Sequence, residues 1–374
     1  MLRRVIRRLD VVYMNEIRVE SSGSLYDVYI ENSMDNLWNA FVKNKIKNTD
    51  KIFIITDSKV YTLYLSLIKS MELKYNCKVY FFHEGEEHKN FNTVQGIYNF
   101  LIENNANRES ILVAIGGGVV GDIVGYVAAT YMRGIRYIGI PTTLISQVDS
   151  CIGGKVGYNY KELKNIIGSF YNPMFVYINI GFLRTLDDND YLSGLGEVIK
   201  YGLIRENSLI SLIEQNYQLV LDRESTILLF IIRECLGCKS EVIAEDFKDL
   251  GMRNVLNFGH TAAHGLEVSS NYKLPHGIAV ALGMLVAIRI SEEKLNLSTE
   301  IYSRIEEIYK KLGFITKYKI DNFDLFLYAI NRDKKNDNAI RFVLLETFGK
   351  CRIKVEVNNK EIINALKNSI CRED

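Results

Sequence analysis

The chain has 374 residues, 48% apolar and 24% charged, with a formal net charge of +1. That length accommodates two domains with well-buried cores. The neutral balance argues against nucleic acid or an acidic membrane as a partner, and no apolar run is long enough to span a bilayer. The start, Met1 to Arg8, is basic, but Asp10, Asn15 and Glu16 interrupt any signal-peptide core, so it reads as a solvated tail. Six cysteines without a framework spacing suit a reducing compartment, so a cytoplasmic location is expected. Cys235 and Cys238 form one CxxC inside a helical pattern; with no second pair it reads as structural.

Two strands, Val11–Glu20 and Leu25–Glu31, flank a Ser-Gly turn and predict a hairpin. Lys51–Asp57 is a buried strand, with a helical pattern from about Tyr61. Lys78–His83 is a second strand, followed by a polar loop and a helix from about Phe91. Ser110–Ile115 is a third, ending in glycines and leading into a helix, and Arg136–Ile140 is a fourth. This alternation predicts a Rossmann-like parallel sheet covered on both faces. From Asn189 to Leu312 the apolar spacing is mostly helical. A strand pair near Arg341–Leu345 and Arg352–Val357 and a last helix close the chain. The expected organisation is an α/β domain over 1–185 and a mainly α-helical domain over 186–374.

Gly116-Gly117-Gly118-Val119-Val120-Gly121-Asp122 matches G-x-G-x-x-G after a strand. Glycines let a backbone turn tightly against a pyrophosphate at a helix N-terminus. Yet the motif follows the third strand, and no acidic residue closes the next one about twenty residues on. A phosphate-bearing cofactor and a plain glycine turn both fit. Gly153-Gly154-Lys155 sets an ammonium beside exposed backbone N–H groups, a seat for phosphate, although the P-loop spacing is absent. Lys164 and Asn165 follow.

The chain has five histidines, and His260, His264 and His276 fall close together. His260 and His264 are four apart on a predicted helix, so spacing makes them a metal pair. His276 follows a loop and can approach the same point. Two histidines with a carboxylate, here Glu197, are a common ligand set for a catalytic divalent ion. The spacing does not say which two histidines bind. Lys200, Lys239, Arg253 and the Lys334-Lys335 pair could hold a small polyanion near such a site.

Taken together, several motifs resemble one family. They are Gly116–Asp122, Tyr131-Met132-Arg133-Gly134, Pro141-Thr142-Thr143-Leu144, Gln147-Val148-Asp149, Gly153-Gly154-Lys155, Lys164–Gly168, Gly196-Glu197 through Lys200, Arg253, Asn257–His260 and His276-Gly277. Their order and spacing are similar to those of 3-dehydroquinate synthases, from about residue 50 to 346. The resemblance implies an NAD-binding α/β domain, a largely helical metal-binding domain and an active site between them. The implied reaction closes 3-deoxy-D-arabino-heptulosonate 7-phosphate into 3-dehydroquinate and releases phosphate in the shikimate pathway, with NAD⁺ regenerated each turnover.

By matching position, the resemblance makes Glu197, His260 and His276 the ligands of Zn²⁺ or Co²⁺. It places Lys200 and Asp149 beside the reacting hydroxyl and makes His264 an acid/base group rather than a ligand. Lys155, Asn165, Asn257 and one of Lys334 or Lys335 contact the phosphate, Lys335 being preferred. Lys239 and Arg253 hold the carboxylate, and Arg133 reaches in from the neighbouring subunit of a homodimer. For NAD the positions are Asp57, Glu86, Lys89, Gly117, Gly118, Asp122, Thr142, Thr143 and Lys164. Asp57 then takes the adenosine ribose.

Two positions depart from the family pattern. Asp249 replaces a Glu credited with proton transfer, which shortens its reach by a methylene. Ile278 replaces the Glu that usually follows His-Gly, removing a carboxylate that could orient the metal site. Rival readings are an amino-dehydroquinate or 2-deoxy-scyllo-inosose synthase, a metal-dependent polyol dehydrogenase, which would release NADH, and a non-catalytic homologue, which would lack ligands. The expected partner is a small sugar phosphate, with no nucleic acid or membrane.

Overall fold

Short runs of β-branched and aromatic residues build the sheet of the first unit. β3 (Ile52–Asp57), β5 (Ile111–Gly116) and β9 (Phe175–Asn179) are apolar at nearly every position and buried along their length. This is the pattern of parallel strands covered on both faces. The structure, a computed structural model, describes residues 16–21, 23–47, 49–161, 163–205, 207–332 and 339–371. It divides into two units, Met1–Thr142 with Ser150–Gly181, and Thr143–Asp149 with Phe182–Asp374.

The first unit also contains β1 (Glu16–Ser21), β2 (Ser24–Glu31), β4 (Lys78–Phe82) and β6 (Arg136–Pro141). The sheet order is β1-β2-β9-β6-β5-β3-β4, parallel except for the β1–β2 hairpin. The part of the expected hairpin before residue 16 lies outside the described residues. From β3 the chain first goes to β4 on one side and then to β5 on the other. The crevice at the ends of β3 and β5 is therefore the topological switch point, where open α/β sheets bind ligands. Thr56 pairs with Ile115, so Asp57 and Gly116 end neighbouring strands there. Helices Phe91–Glu103 and Gly118–Thr130 pack Ile97, Ile123 and Val127 against Phe53, Ile55, Leu112 and Ala114.

A second hairpin, β7 (Lys155–Tyr160) with β8 (Leu163–Phe170), joins this unit and was not foreseen from the sequence. β8 is exposed at almost every position, so it carries no alternation to read. Val156 of β7 seats against Gly125 of the helix, where a Cβ would collide with it.

The second unit is mainly helical and centres on the helix His276–Leu295, whose residues from Gly277 to Ile288 are all buried. A helix apolar on every side belongs inside a bundle. Around it lie helices Asp188–Ile204, His260–Ser269 and Thr299–Leu312, with shorter ones and the hairpin β10 (Arg341–Thr347) and β11 (Lys350–Glu356), and Ser225–Glu245 packs on Asp188–Ile204. Cys235 and Cys238 are both buried thiols inside the helix Ser225–Glu245.

Candidate active site

In the second unit, glycine contacts decide which side chains meet. Gly196 precedes Glu197, and a Cβ there would run into the carbonyl of Gly277; a Cβ at Gly277 would run into the carbonyl of Ser193. Helices Asp188–Ile204 and His276–Leu295 thus touch backbone to backbone, and Ser193 Oγ accepts the Gly277 N–H at 2.8 Å. Glu197 and His276 flank that contact. Gly259, at φ +80, turns the chain into the helix His260–Ser269, and its own Cβ would lie 3.0 Å from the Val280 carbonyl oxygen. Each of the three side chains therefore sits beside a glycine at a helix crossing.

Ligand atoms from Glu197, His260 and His276 all lie within 4.8 Å of one another. Glu197 Oε1 is 3.6 Å from His260 Nε2 and 3.4 Å from His276 Nε2. The other ring nitrogens are engaged: His260 Nδ1 lies 3.2 Å from the Phe258 carbonyl, and His276 Nδ1 lies 3.3 Å from Glu267 Oε1. Donation from Nδ1 leaves the Nε2 lone pair free for a cation. Glu197 is 1% exposed, and neither of its oxygens accepts a well-formed hydrogen bond, although Lys200 Nζ is in ion-pair contact. A buried carboxylate facing two imidazole Nε2 atoms fits a divalent ion bound by nitrogen and oxygen.

The charges follow from this packing. Burial works against ionised Glu197, but Lys200 and His260 outweigh it and hold the carboxyl below its usual range. Burial and Lys200 push His260 down to about 4, so it is neutral at pH 7. Burial opposes the charged form of His276, but Glu197 and Glu267 win and raise it to about 10. Burial would also discharge Lys200, yet Glu197 and Asp149 keep it cationic.

Asp149 links this centre to further cations. Lys200 Nζ is 3.7 Å from Asp149 Oδ2, Tyr201 donates its hydroxyl to Oδ1 at 2.9 Å, and Lys239 pairs with Oδ1 and bonds the Asp149 carbonyl at 2.8 Å. Arg253 is buried, with its guanidinium on the Phe247 carbonyl at 2.7 Å. Asp246 shapes that loop by accepting the N–H groups of Leu250, Gly251 and Arg253 at 3.0, 2.7 and 3.1 Å. Asp249 lies in the same loop at φ 59, and its charge acts on Arg253.

His264 is one turn beyond His260 on the same helix, yet it is outside the ligand group. The pairing suggested by spacing is thus not the arrangement found. Asn257 is exposed on the turn before His260. Lys334 and Lys335 lie outside the described residues. Tyr201, Asp246 and Glu267 were missed from the sequence. Each acts on another side chain or loop, and only the position of Glu267, seven residues after His260 and so on the same helical face, carried a signal.

In the first unit, the glycine turn sits at the switch point. Gly117 caps the helix Gly118–Thr130, Thr142 donates its N–H to the Gly116 carbonyl at 3.0 Å, and Asp57 stands at the end of β3. One Asp57 oxygen is already committed, accepting the Val60 N–H at 2.8 Å as a helix cap. Lys89 is buried and holds Asp122 at 2.6 Å and Asn165 at 2.5 Å. Asn159 joins Glu86 to the same cluster, donating to Glu86 Oε1 at 2.8 Å and accepting the Asn165 N–H at 2.8 Å. Lys155, Lys164 and Arg133 are exposed, whereas Thr143, which belongs to the second unit, bonds Ser146 within its own turn. A helix N-terminus behind small residues at a switch point fits a dinucleotide.

A parallel sheet with this switch-point turn and a helical unit with two histidines and a carboxylate make up a two-unit fold found in solved enzymes. It is shared with a solved 2-deoxy-scyllo-inosose synthase complexed with carbaglucose-6-phosphate, NAD⁺ and Co²⁺ (TM-score 0.86, 23% identity, covering 95% of this chain and 100% of that one). A 2-epi-5-epi-valiolone synthase from Streptomyces hygroscopicus subsp. jinggangensis 5008, with NAD⁺ and Zn²⁺ bound, is also similar (TM-score 0.83, 26% identity, covering 92% and 96%). Within that fold, the chain belongs to the 3-dehydroquinate synthase family. Residues 79–193 match the family's N-terminal model and 194–336 its C-terminal model. The chain is 56% identical to a 3-dehydroquinate synthase of Clostridium tetani over 98% of both chains.

Proposed function

We propose that this chain is a working 3-dehydroquinate synthase, converting 3-deoxy-D-arabino-heptulosonate 7-phosphate to 3-dehydroquinate and phosphate with NAD⁺ and Zn²⁺ or Co²⁺. The observation that carries this reading is the grouping of Glu197, His260 and His276 beside the Lys200–Asp149 pair, in a chain of that family. When bound, NAD⁺ supplies a reversible hydride acceptor and the ion a Lewis acid for substrate hydroxyls.

The residues divide the remaining work. Glu197, His260 and His276 hold the ion; His260 offers a neutral Nε2, whereas His276 must release a proton, so ion affinity rises with pH. Lys200 stays protonated and stabilises negative charge on a substrate oxygen, with Asp149 keeping it charged. Asp249 and His264 move protons at the substrate. Lys155, Asn165, Asn257 and Lys335 take the phosphate. Arg253 and Lys239 take the carboxylate, Lys239 sharing its ammonium with Asp149. Asp57, Glu86, Lys89, Gly117, Gly118, Asp122, Thr142, Thr143 and Lys164 serve NAD.

The enzyme works as a homodimer in the cytoplasm, with Arg133 acting in the neighbouring subunit's site. Exposed Leu163, Ile166 and Phe170 on β8 and six free cysteines support this. No helix among the described residues is long and apolar enough to cross a membrane. The test is phosphate release from 3-deoxy-D-arabino-heptulosonate 7-phosphate by the metal-loaded protein with NAD⁺, followed together with absorbance at the NADH band. Phosphate and dehydroquinate in equal amounts without net NADH are expected. NADH accumulating on a polyol would overturn the reading in favour of a dehydrogenase.

A further inference from the structure

We propose that Glu267 is a positioning residue of the metal centre, acting through His276. His276 opens its helix with a half-exposed side chain, its ring set edge-on to that of His260 at 5.4 Å between centroids. Glu267 is 8% exposed, and its Oε1 lies 3.3 Å from His276 Nδ1, on the far side of the ring from Glu197. By accepting the Nδ1–H it selects the tautomer whose Nε2 lone pair faces Glu197 and His260. A carboxylate behind a ligating imidazole also makes that imidazole a stronger donor. Glu267 sits two turns after His260 on the helix His260–Ser269, so one helix supplies a ligand and the group that aims a second ligand.

The backbone around Glu267 holds the intervening loop. Its carbonyl accepts the Tyr272 N–H at 2.7 Å and the Ser270 hydroxyl at 2.9 Å, and Ser270 Oγ accepts the Leu274 N–H at 3.2 Å. The turn that delivers Pro275 and His276 is thereby tied to the residue that orients the ring. Ile278, where the sequence pattern had a carboxylate missing, is buried; the carboxylate behind the histidine comes from another helix.

This inference rests on the metal reading above. The test uses the full chain, stripped of metal and titrated with Co²⁺ against a chelating competitor. Glu267→Gln keeps the shape of the side chain and removes its charge; Glu267→Ala removes both. Affinity for Co²⁺ should fall by about 10-fold in the first and about 100-fold in the second, with a changed visible spectrum of the bound ion. The metal-free Glu267→Gln protein should melt within about 3 °C of the parent, which separates positioning from folding. Two variants that bind Co²⁺ as tightly as the parent, with its spectrum, would overturn the proposal. A parent chain that binds no Co²⁺ would overturn the metal reading itself, and this proposal with it.

Discussion

In the first unit, the candidate cofactor site is made of backbone: a glycine turn after β5, a helix N-terminus behind it, and Asp57 at the end of the neighbouring strand. In the second unit, the candidate site is made of side chains, Glu197, His260 and His276 from three helices, with Lys200, Asp149 and Lys239 packed around them. Glycine serves both units in different ways. In the turn after β5, a Cβ on Gly116 would collide with the Val120 side chain, so glycine lets the strand turn tightly into its helix. At Gly196, Gly259 and Gly277 it leaves room for another helix, and the ligands arrive as a consequence. A backbone site tolerates changes in neighbouring charge, whereas a buried charged site depends on every partner in it.

The largest effect should come from breaking that charge set. Asp149→Asn leaves Lys239 and Lys200, 6% and 1% exposed, short of a counter-charge. Removing one partner of a buried ion pair costs about 3–5 kcal/mol, which urea unfolding would register. The pH dependence has a defined sign. Burial opposes the Asp149 carboxylate, but Lys239 and Lys200 dominate and hold its carboxyl below the ordinary 3.8. Its stabilisation is therefore present above pH 3.8 and is lost as pH falls towards the folded value. Parent and variant should differ at pH 7 and converge only in strong acid.

A smaller and more selective effect is expected in the first unit. At Gly118, a Cβ would lie 3.3 Å from Ser150 Oγ. Gly118→Ala should weaken NAD⁺ binding about 10-fold by closing the backbone approach. Stability should hold or rise by up to about 1 kcal/mol, because alanine favours the helix over glycine. Co²⁺ affinity should be unchanged. A joint loss of NAD⁺ and Co²⁺ binding in this variant would break the contrast between the units.

The first unit was the more legible in sequence, because its strands are apolar runs and its turns are glycine-rich. What the sequence obscured was the strand order, together with β7, β8 and β9. The glycine motif looked misplaced after the third strand, but β5 lies beside β3 across the switch point, so the motif and Asp57 end adjacent strands. In the second unit the helices were legible and the site was not. Spacing alone paired His260 with His264, since helical periodicity sees only neighbours on one helix. The ligand set crosses three helices, and the contacts that gather it are glycine–backbone contacts with no periodic signature. The family resemblance supplied that set. Of the groups that support it, Glu267 behind His276 showed only its helical spacing from His260, and Tyr201, 52 positions from Asp149, left no local pattern.

The most direct test of the side-chain site is the Co²⁺ stoichiometry of three full-length proteins: the parent, His276→Ala and His264→Ala. The parent and His264→Ala should each bind one ion, and His276→Ala should lose more than about 100-fold in affinity, beyond the loss expected for an orienting partner. Loss of the ion in His264→Ala with retention in His276→Ala would contradict the account and restore the pairing that helical spacing alone suggests.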